Sequence, residues 1–69
     1  MGTDNIQNKV HDLRIQMQIT QQHLADALGV TRQTVIAIEK GNYVPSVSLA
    51  LKAGKFFNKP VEKIFYVKH

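Results

Sequence analysis

The sequence predicts an all-α fold of five short helices, and three observations carry that prediction. Apolar residues recur every three or four positions along most of the 69 residues, the spacing that gathers side chains on one side of a helix. Hydroxyl residues stand just before three of these runs, at Thr20, Thr31 and Ser46, where a side-chain oxygen can accept from an otherwise unpaired backbone N–H. Glycine closes two of the runs, at Gly29 and Gly41, being the residue that most readily takes the left-handed conformation ending a helix.

Taken in order, Ile6, Val10, Leu13 and Met17 fall at i, i+4, i+7 and i+11 and mark the apolar stripe of a first helix, with Asp4 and Gln7 in capping-box spacing at its start. A second helix runs from its cap at Thr20 to Leu28. Leu24 and Leu28 share a face there, and Ala25 and Ala27 are small enough for a close helix neighbour. Only Val30 separates Gly29 from Thr31, the cap of a third helix from Arg32 to about Lys40 that Gly41 and Asn42 stop. Two short helices joined by about three residues, the first a glycine, form the helix-turn-helix layout. Asn42, Tyr43, Val44 and Pro45 make a loop, and Ser46 caps a fourth helix carrying Val47, Ala50, Ala53 and Phe57. Pro60 suits the first position of a short fifth helix through Ile64 and Phe65, and the last residues, from Phe65 to His69, favour an extended chain. With no repeat, linker or low-complexity tract, residues 1–69 read as one domain.

A domain this short hides only about 60% of its unfolded surface, so its stability is marginal before any detail is considered. It has no cysteine, and His11, His23 and His69 are far apart, which leaves a second subunit as the common remedy. A zinc site from His11 and His23 is not expected, since His11 lies well off the apolar stripe of the first helix and no sulfur ligand is grouped with it. No run approaches the ~20 apolar residues of a membrane span. The opening residues have neither a signal-peptide core nor the hydroxyl residue that myristoylation prefers at the sixth position. The expectation is a cytoplasmic protein with no membrane partner. A net charge of +4 and a pI near 9.7 point to a polyanion. Ser46 and Ser48 are the only serines, and no nucleophile elbow, phosphate loop or paired metal ligands accompany them. Neither catalysis nor a cofactor nor a small-molecule pocket is expected.

The third helix is where periodicity becomes chemistry. With Val35 set at zero, Ile38 and Glu39 fall within about 60° of it and turn inward. Gln33, Ile36, Ala37 and Lys40 take the far side, with Arg32 at the amino-terminal end. A helix lying in the major groove needs such a face: Arg can bond two guanine acceptors, Gln two adenine groups, and Ala or Ile can touch a thymine methyl.

The run from Ile19 to Gly41, with Thr20-Gln21-Gln22, Gly29-Val30-Thr31-Arg32-Gln33 and Ile38-Glu39-Lys40-Gly41 as its most specific parts, resembles the core of the phage-repressor and Cro-like family, also called the xenobiotic-response-element family. The likeness continues through Tyr43, Pro45-Ser46 and Phe56-Phe57 to Ile64-Phe65, and is strongest to short stand-alone regulators of the cytolysin-repressor type. It implies a five-helix lambda-repressor-like domain whose chain ends pair as a small two-stranded sheet, with Ile64, Phe65 and Tyr66 at a homodimer seam. It also implies roles by position. Gln21 bonds a phosphate or braces a reading side chain; Arg32 and Gln33 read bases; Thr31 and Thr34 touch backbone or base. Ala37 lies against the groove with Ile36 beside it, Lys40, Asn42 and Tyr43 belong to a phosphate-gripping loop, and Arg14 and Glu39 form an internal ion pair.

Three departures stand out against this resemblance. His23 replaces the usual Glu of the second helix's capping box, Ala53-Gly54 replaces Ile-Ala, and Lys59 occupies a position that is commonly apolar. Gly54 either weakens its helix or admits another backbone, and the sequence leaves both open. The function expected is that of a prokaryotic or phage transcriptional regulator, a repressor, bound as a homodimer to double-stranded DNA at an inverted-repeat operator. The alternative is an antitoxin or antirepressor module that uses the same fold to hold a protein partner.

Overall fold

Four α-helices and a two-stranded antiparallel sheet make up residues 6–68, the part of the chain that the computed structural model describes. In chain order they are β1 (Ile6–Asn8), α1 (Val10–Gln16), α2 (Gln21–Leu28), α3 (Arg32–Glu39), α4 (Val47–Phe57), a 3-10 turn at Val61–Lys63 and β2 (Phe65–Val67). Leu24, Leu28, Val35, Ile38, Val10 and Ile64 are the largest side chains buried completely, and every helix adds at least one residue to the core they form.

Local chemistry accounts for where the helices begin and end. Thr20, Thr31 and Ser46 are the caps of α2, α3 and α4, each side-chain oxygen accepting from the backbone N–H three residues on. At the other end all four helices stop in the same way, on a residue with positive φ: Gln18, Gly29, Gly41 and Asn58. In each case the next residue's N–H returns to a carbonyl five positions back: Ile19 to Arg14, Val30 to Ala25, Asn42 to Ala37 and Lys59 to Gly54. This double closure satisfies carbonyls that a helix end otherwise leaves bare.

The first helix starts later than its periodicity predicts. Ile6 and Gln7 belong to β1, which pairs with β2 in the register Ile6 to Val67, Gln7 to Tyr66 and Asn8 to Phe65. Asp4, the other half of the expected capping box, lies outside the described residues. Asn8 does the capping instead: its Oδ1 accepts from Val10 N at 3.0 Å while its Nδ2 donates to the Ile38 carbonyl at 2.8 Å. That one side chain ties the start of α1 to the end of α3. Met17, expected in the apolar stripe, is exposed.

The fifth helix is not formed. Pro60 is extended, with ψ 146°, and only the single 3-10 turn follows before the chain enters β2. Pairing with β1 competes with helix here, and Phe65, Tyr66 and Val67 suit a strand. The sheet of chain ends is present, made by the described residues of both termini. On α4 the buried face is Leu49, Ala53 and Phe57, while Val47, at the start of the same helix, is exposed. Gly54 resolves as a close approach: a Cβ there would stand 3.1 Å from the Lys59 carbonyl oxygen and 3.3 Å from Val61 Cγ2.

Candidate nucleic-acid interface

Burial fixes the orientation of α3. Val35 and Ile38 are 0% and 1% exposed, so the helix is anchored along one line and its opposite side is left to solvent. Arg32, Gln33 and Lys40 are exposed there, with Ile36 and Ala37 half-buried beside them. No acidic residue lies on that side; the helix's one carboxylate, Glu39, turns inward with its side chain 6% exposed.

Thr31 and Thr34 stand at the amino end of α3. Thr31 Oγ1 accepts from Thr34 N at 3.2 Å, and the two hydroxyls lie 3.1 Å apart in a shared hydrogen bond. Whichever hydroxyl donates to the other, one O–H is left to reach an outside acceptor. Both threonines therefore hold the helix start and still present a donor beside Arg32. At the far end Lys40, Asn42 and Tyr43 are exposed around the turn at Gly41, whose φ is +82°.

Behind this surface sits a polar brace. Arg14 Nε donates to Glu39 Oε2 at 2.7 Å and its Nη2 to Oε1 at 3.3 Å, with the two side chains 11% and 6% exposed. Arg14 Nη1 also donates to the Ile19 carbonyl at 2.9 Å, which locks the α1–α2 connection. Gln21 Nε2 reaches Glu39 Oε1 at 3.2 Å. Gln21 is thus held by α3 through one amide group, with its carbonyl oxygen free for a second partner. Sequence spacing paired Arg14 with Glu39 only by resemblance, and it carried no sign of the bonds to Ile19 and Gln21.

Gln21 and Arg32 line one open cleft of about 610 Å³, together with Arg14, Thr20 and Gln22. Thr20 and Gln22 were not among the expected site residues. Their signal was the pair of glutamines directly after a cap, where polar side chains gather around a helix start. His23 is exposed, and its backbone N–H donates to Thr20 Oγ1 at 3.0 Å, so the half of the capping box that needs no side chain from position 23 is intact. Of the three residues expected at a dimer seam, Ile64 is 0% exposed within the chain's own core and has no surface to offer. Phe65 packs against that core, and Tyr66 is exposed on β2.

An anchored second helix with a polar, basic outer face, set against a capped first helix across a glycine turn, defines a DNA-binding helix-turn-helix. The chain belongs to the helix-turn-helix family of the xenobiotic-response-element type, whose model, described as "Helix-turn-helix", matches residues 10–64. It is 49% identical over 63 residues to an HTH-type transcriptional regulator of Bacillus subtilis, covering 91% of this chain and 96% of that protein. An HTH-type transcriptional regulator of Methanocaldococcus jannaschii is 52% identical over 60 residues, covering 87% of this chain and 91% of the relative. The cryptic phage CTXphi transcriptional repressor RstR of Vibrio cholerae is 32% identical over 57 residues, 83% of this chain and 51% of RstR.

Proposed function

We propose that the protein is a transcriptional repressor that reads an inverted-repeat operator as a homodimer, each α3 lying in the major groove. The observation that carries this reading is the anchoring of α3 by Val35 and Ile38, which leaves Arg32 and Gln33 projecting from its amino-terminal half. Arg32 takes guanine and Gln33 adenine, because each side chain matches two groups on the base edge at once. Ile36 and Ala37 keep that side of the helix apolar enough to meet thymine methyls. Thr31, Thr34 and Gln21 contact the sugar-phosphate backbone on one flank, and Lys40, Asn42 and Tyr43 on the other. Repression is supported by the name of the Vibrio cholerae relative, and it needs only that a bound dimer exclude other proteins from the same duplex.

Selection of bound sequences from random duplex DNA by the purified chain tests this, followed by Arg32→Ala and Gln33→Ala in the same assay. A palindromic consensus is expected from the native chain. Each variant should lose preference at one base position per half-site, by about 1 to 3 kcal/mol. Variants that select the same consensus as the native chain would remove α3 from the reading role.

A further inference from the structure

We infer that an anion-binding site lies on the side of α1 opposite Arg14, a lysine-lined cleft that takes an acidic peptide segment of a partner protein. Lys9, Lys59 and Lys63 line this cleft of about 530 Å³ together with Gln16, Asn58 and Leu13. Of these six, all but Leu13 are exposed. The inference goes beyond the DNA reading and does not rest on it.

Backbone bonds hold the frame. One wall is α1 with Lys9 before it, and the other is the chain that follows α4. The Lys9 N–H donates to the Ile64 carbonyl at 2.9 Å, which ties the two walls together. Asn58, with φ 56°, ends α4. The Lys59 N–H returns to the Gly54 carbonyl at 3.0 Å, and the Lys63 N–H bonds the Pro60 carbonyl at 2.9 Å. Three flexible ammonium groups therefore stand on a fixed backbone around one opening.

Charge selects the class of ligand. The ion pairs among the described residues are His11 with Asp12 and Arg14 with Glu39, and neither involves these lysines. Asp12 and Glu62, close in sequence to the lining residues, are exposed but do not line the cleft. Like charges gathered this way repel, and an anion relieves the repulsion. Each exposed ion pair strengthens binding about fivefold at most, so one small anion is held only weakly here. A chain bearing several carboxylates meets the three lysines at once and multiplies their contributions. Gln16 and Asn58 add amide donors for the same oxygens. Nucleic acid fits less well. The lining has no aromatic ring or guanidinium on which a base would stack, and a recess does not enter the groove of a duplex as an α-helix does.

Position separates this cleft from α3. Leu13 and Gln16 lie about 100° and 160° around α1 from Arg14, and Arg14 lines the other cleft with Gln21 and Arg32. A duplex against α3 therefore leaves the lysine cleft open to a second partner.

Fluorescence anisotropy of dye-labelled octaglutamate, titrated with the full chain at one fixed salt concentration, is the test, with far-UV circular dichroism as the check on folding. Saturable binding of one peptide per chain is expected. Lys9→Glu, Lys59→Glu and Lys63→Glu, all at exposed positions, should keep their helix content. Each should weaken binding at least about 10-fold, one attraction being lost and one repulsion gained. Lys52→Glu, beside the turn at Gly29, and Arg32→Glu, on α3, change the net charge equally and should weaken binding less than about threefold, since distant charges are screened. Equal losses in all five variants would reduce the binding to net-charge attraction, and a larger loss in Arg32→Glu would put the peptide on α3. Either result overturns the inference, as does octaglutamate that fails to saturate. Random duplex DNA whose affinity falls as far with Lys59→Glu as with Arg32→Glu makes the cleft a duplex contact and overturns it too.

Discussion

Glu39 does three jobs with two oxygens: it accepts two hydrogen bonds from Arg14 and one from Gln21. Because Arg14 is nearly enclosed, with its side chain 11% exposed, removing the carboxylate strands a guanidinium that water cannot fully reach. Breaking one side of such a pair costs about 3 to 5 kcal/mol, whereas replacing both partners by apolar side chains is often neutral. Glu39→Ala should therefore lower stability by about 3 kcal/mol or more, read as a shift in the urea midpoint at unchanged slope. That is a large part of what a domain this size possesses, since total stabilities start near ~5 kcal/mol. Arg14→Met combined with Glu39→Leu should recover most of the loss. A Glu39→Ala midpoint equal to that of the native chain would mean the pair contributes nothing. The paired variant also separates stability from positioning, because Gln21 loses its tether to α3 in a protein that still folds.

At the scale of elements, α4 sets helix propensity against packing. Leucine is a better helix former than glycine by about 0.8 kcal/mol, so propensity alone says that Gly54→Leu stabilises. Packing says the reverse, because the space a Cβ needs is bounded by the Lys59 carbonyl at 3.1 Å, a backbone atom tied into the helix-ending turn by the Lys59 N–H bond to Gly54. Overpacking of this kind costs about 1 to 3 kcal/mol, and packing should win: Gly54→Leu is expected to melt below the native chain. A higher melting temperature would show that the 59–61 segment yields freely. The same element shows what was legible in the sequence. The caps at Thr20, Thr31 and Ser46 and the stops at Gly29 and Gly41 are local chemistry, so α2, α3 and the start of α4 could be read directly. Periodicity left α4's inward face undecided because apolar residues stand on both of its sides, and only the rest of the core decides which side is covered. It misjudged the first helix for a related reason. Ile6 fits the stripe of α1 as well as it fits a strand, and the choice is made by pairing with Val67, a partner that no local window contains. Gln18 and Asn58 were invisible as helix stops because glycine is the residue that advertises a positive φ. The outer face of α3 was legible, since it follows from one helix period; the bonds that brace Gln21 against Glu39 were not, since they depend on how two helices meet.

For the whole molecule, the net charge of +4 brings any DNA close, and specificity has to be separated from that attraction. The two contributions respond differently to salt. Phosphate contacts release counterions, so each one steepens the fall of log affinity with log salt by about 0.9 on duplex DNA, while base contacts leave that slope nearly unchanged. Lys40 is exposed at the end of α3, beyond the residues proposed to reach bases, and Arg32 is exposed at its start. Lys40→Ala should therefore weaken every duplex by a similar factor and lower the salt slope by about 0.9 for each copy bound. Arg32→Ala should act mainly on preference, narrowing the gap between selected and random duplexes at any one salt concentration. Titrations of both variants at several salt concentrations, on the selected consensus and on a scrambled duplex of equal length, separate the two roles. If Lys40→Ala alters base preference and spares the slope, the loop from Lys40 to Tyr43 lies on the bases, and α3 is rotated in the groove from the orientation that Val35 and Ile38 impose.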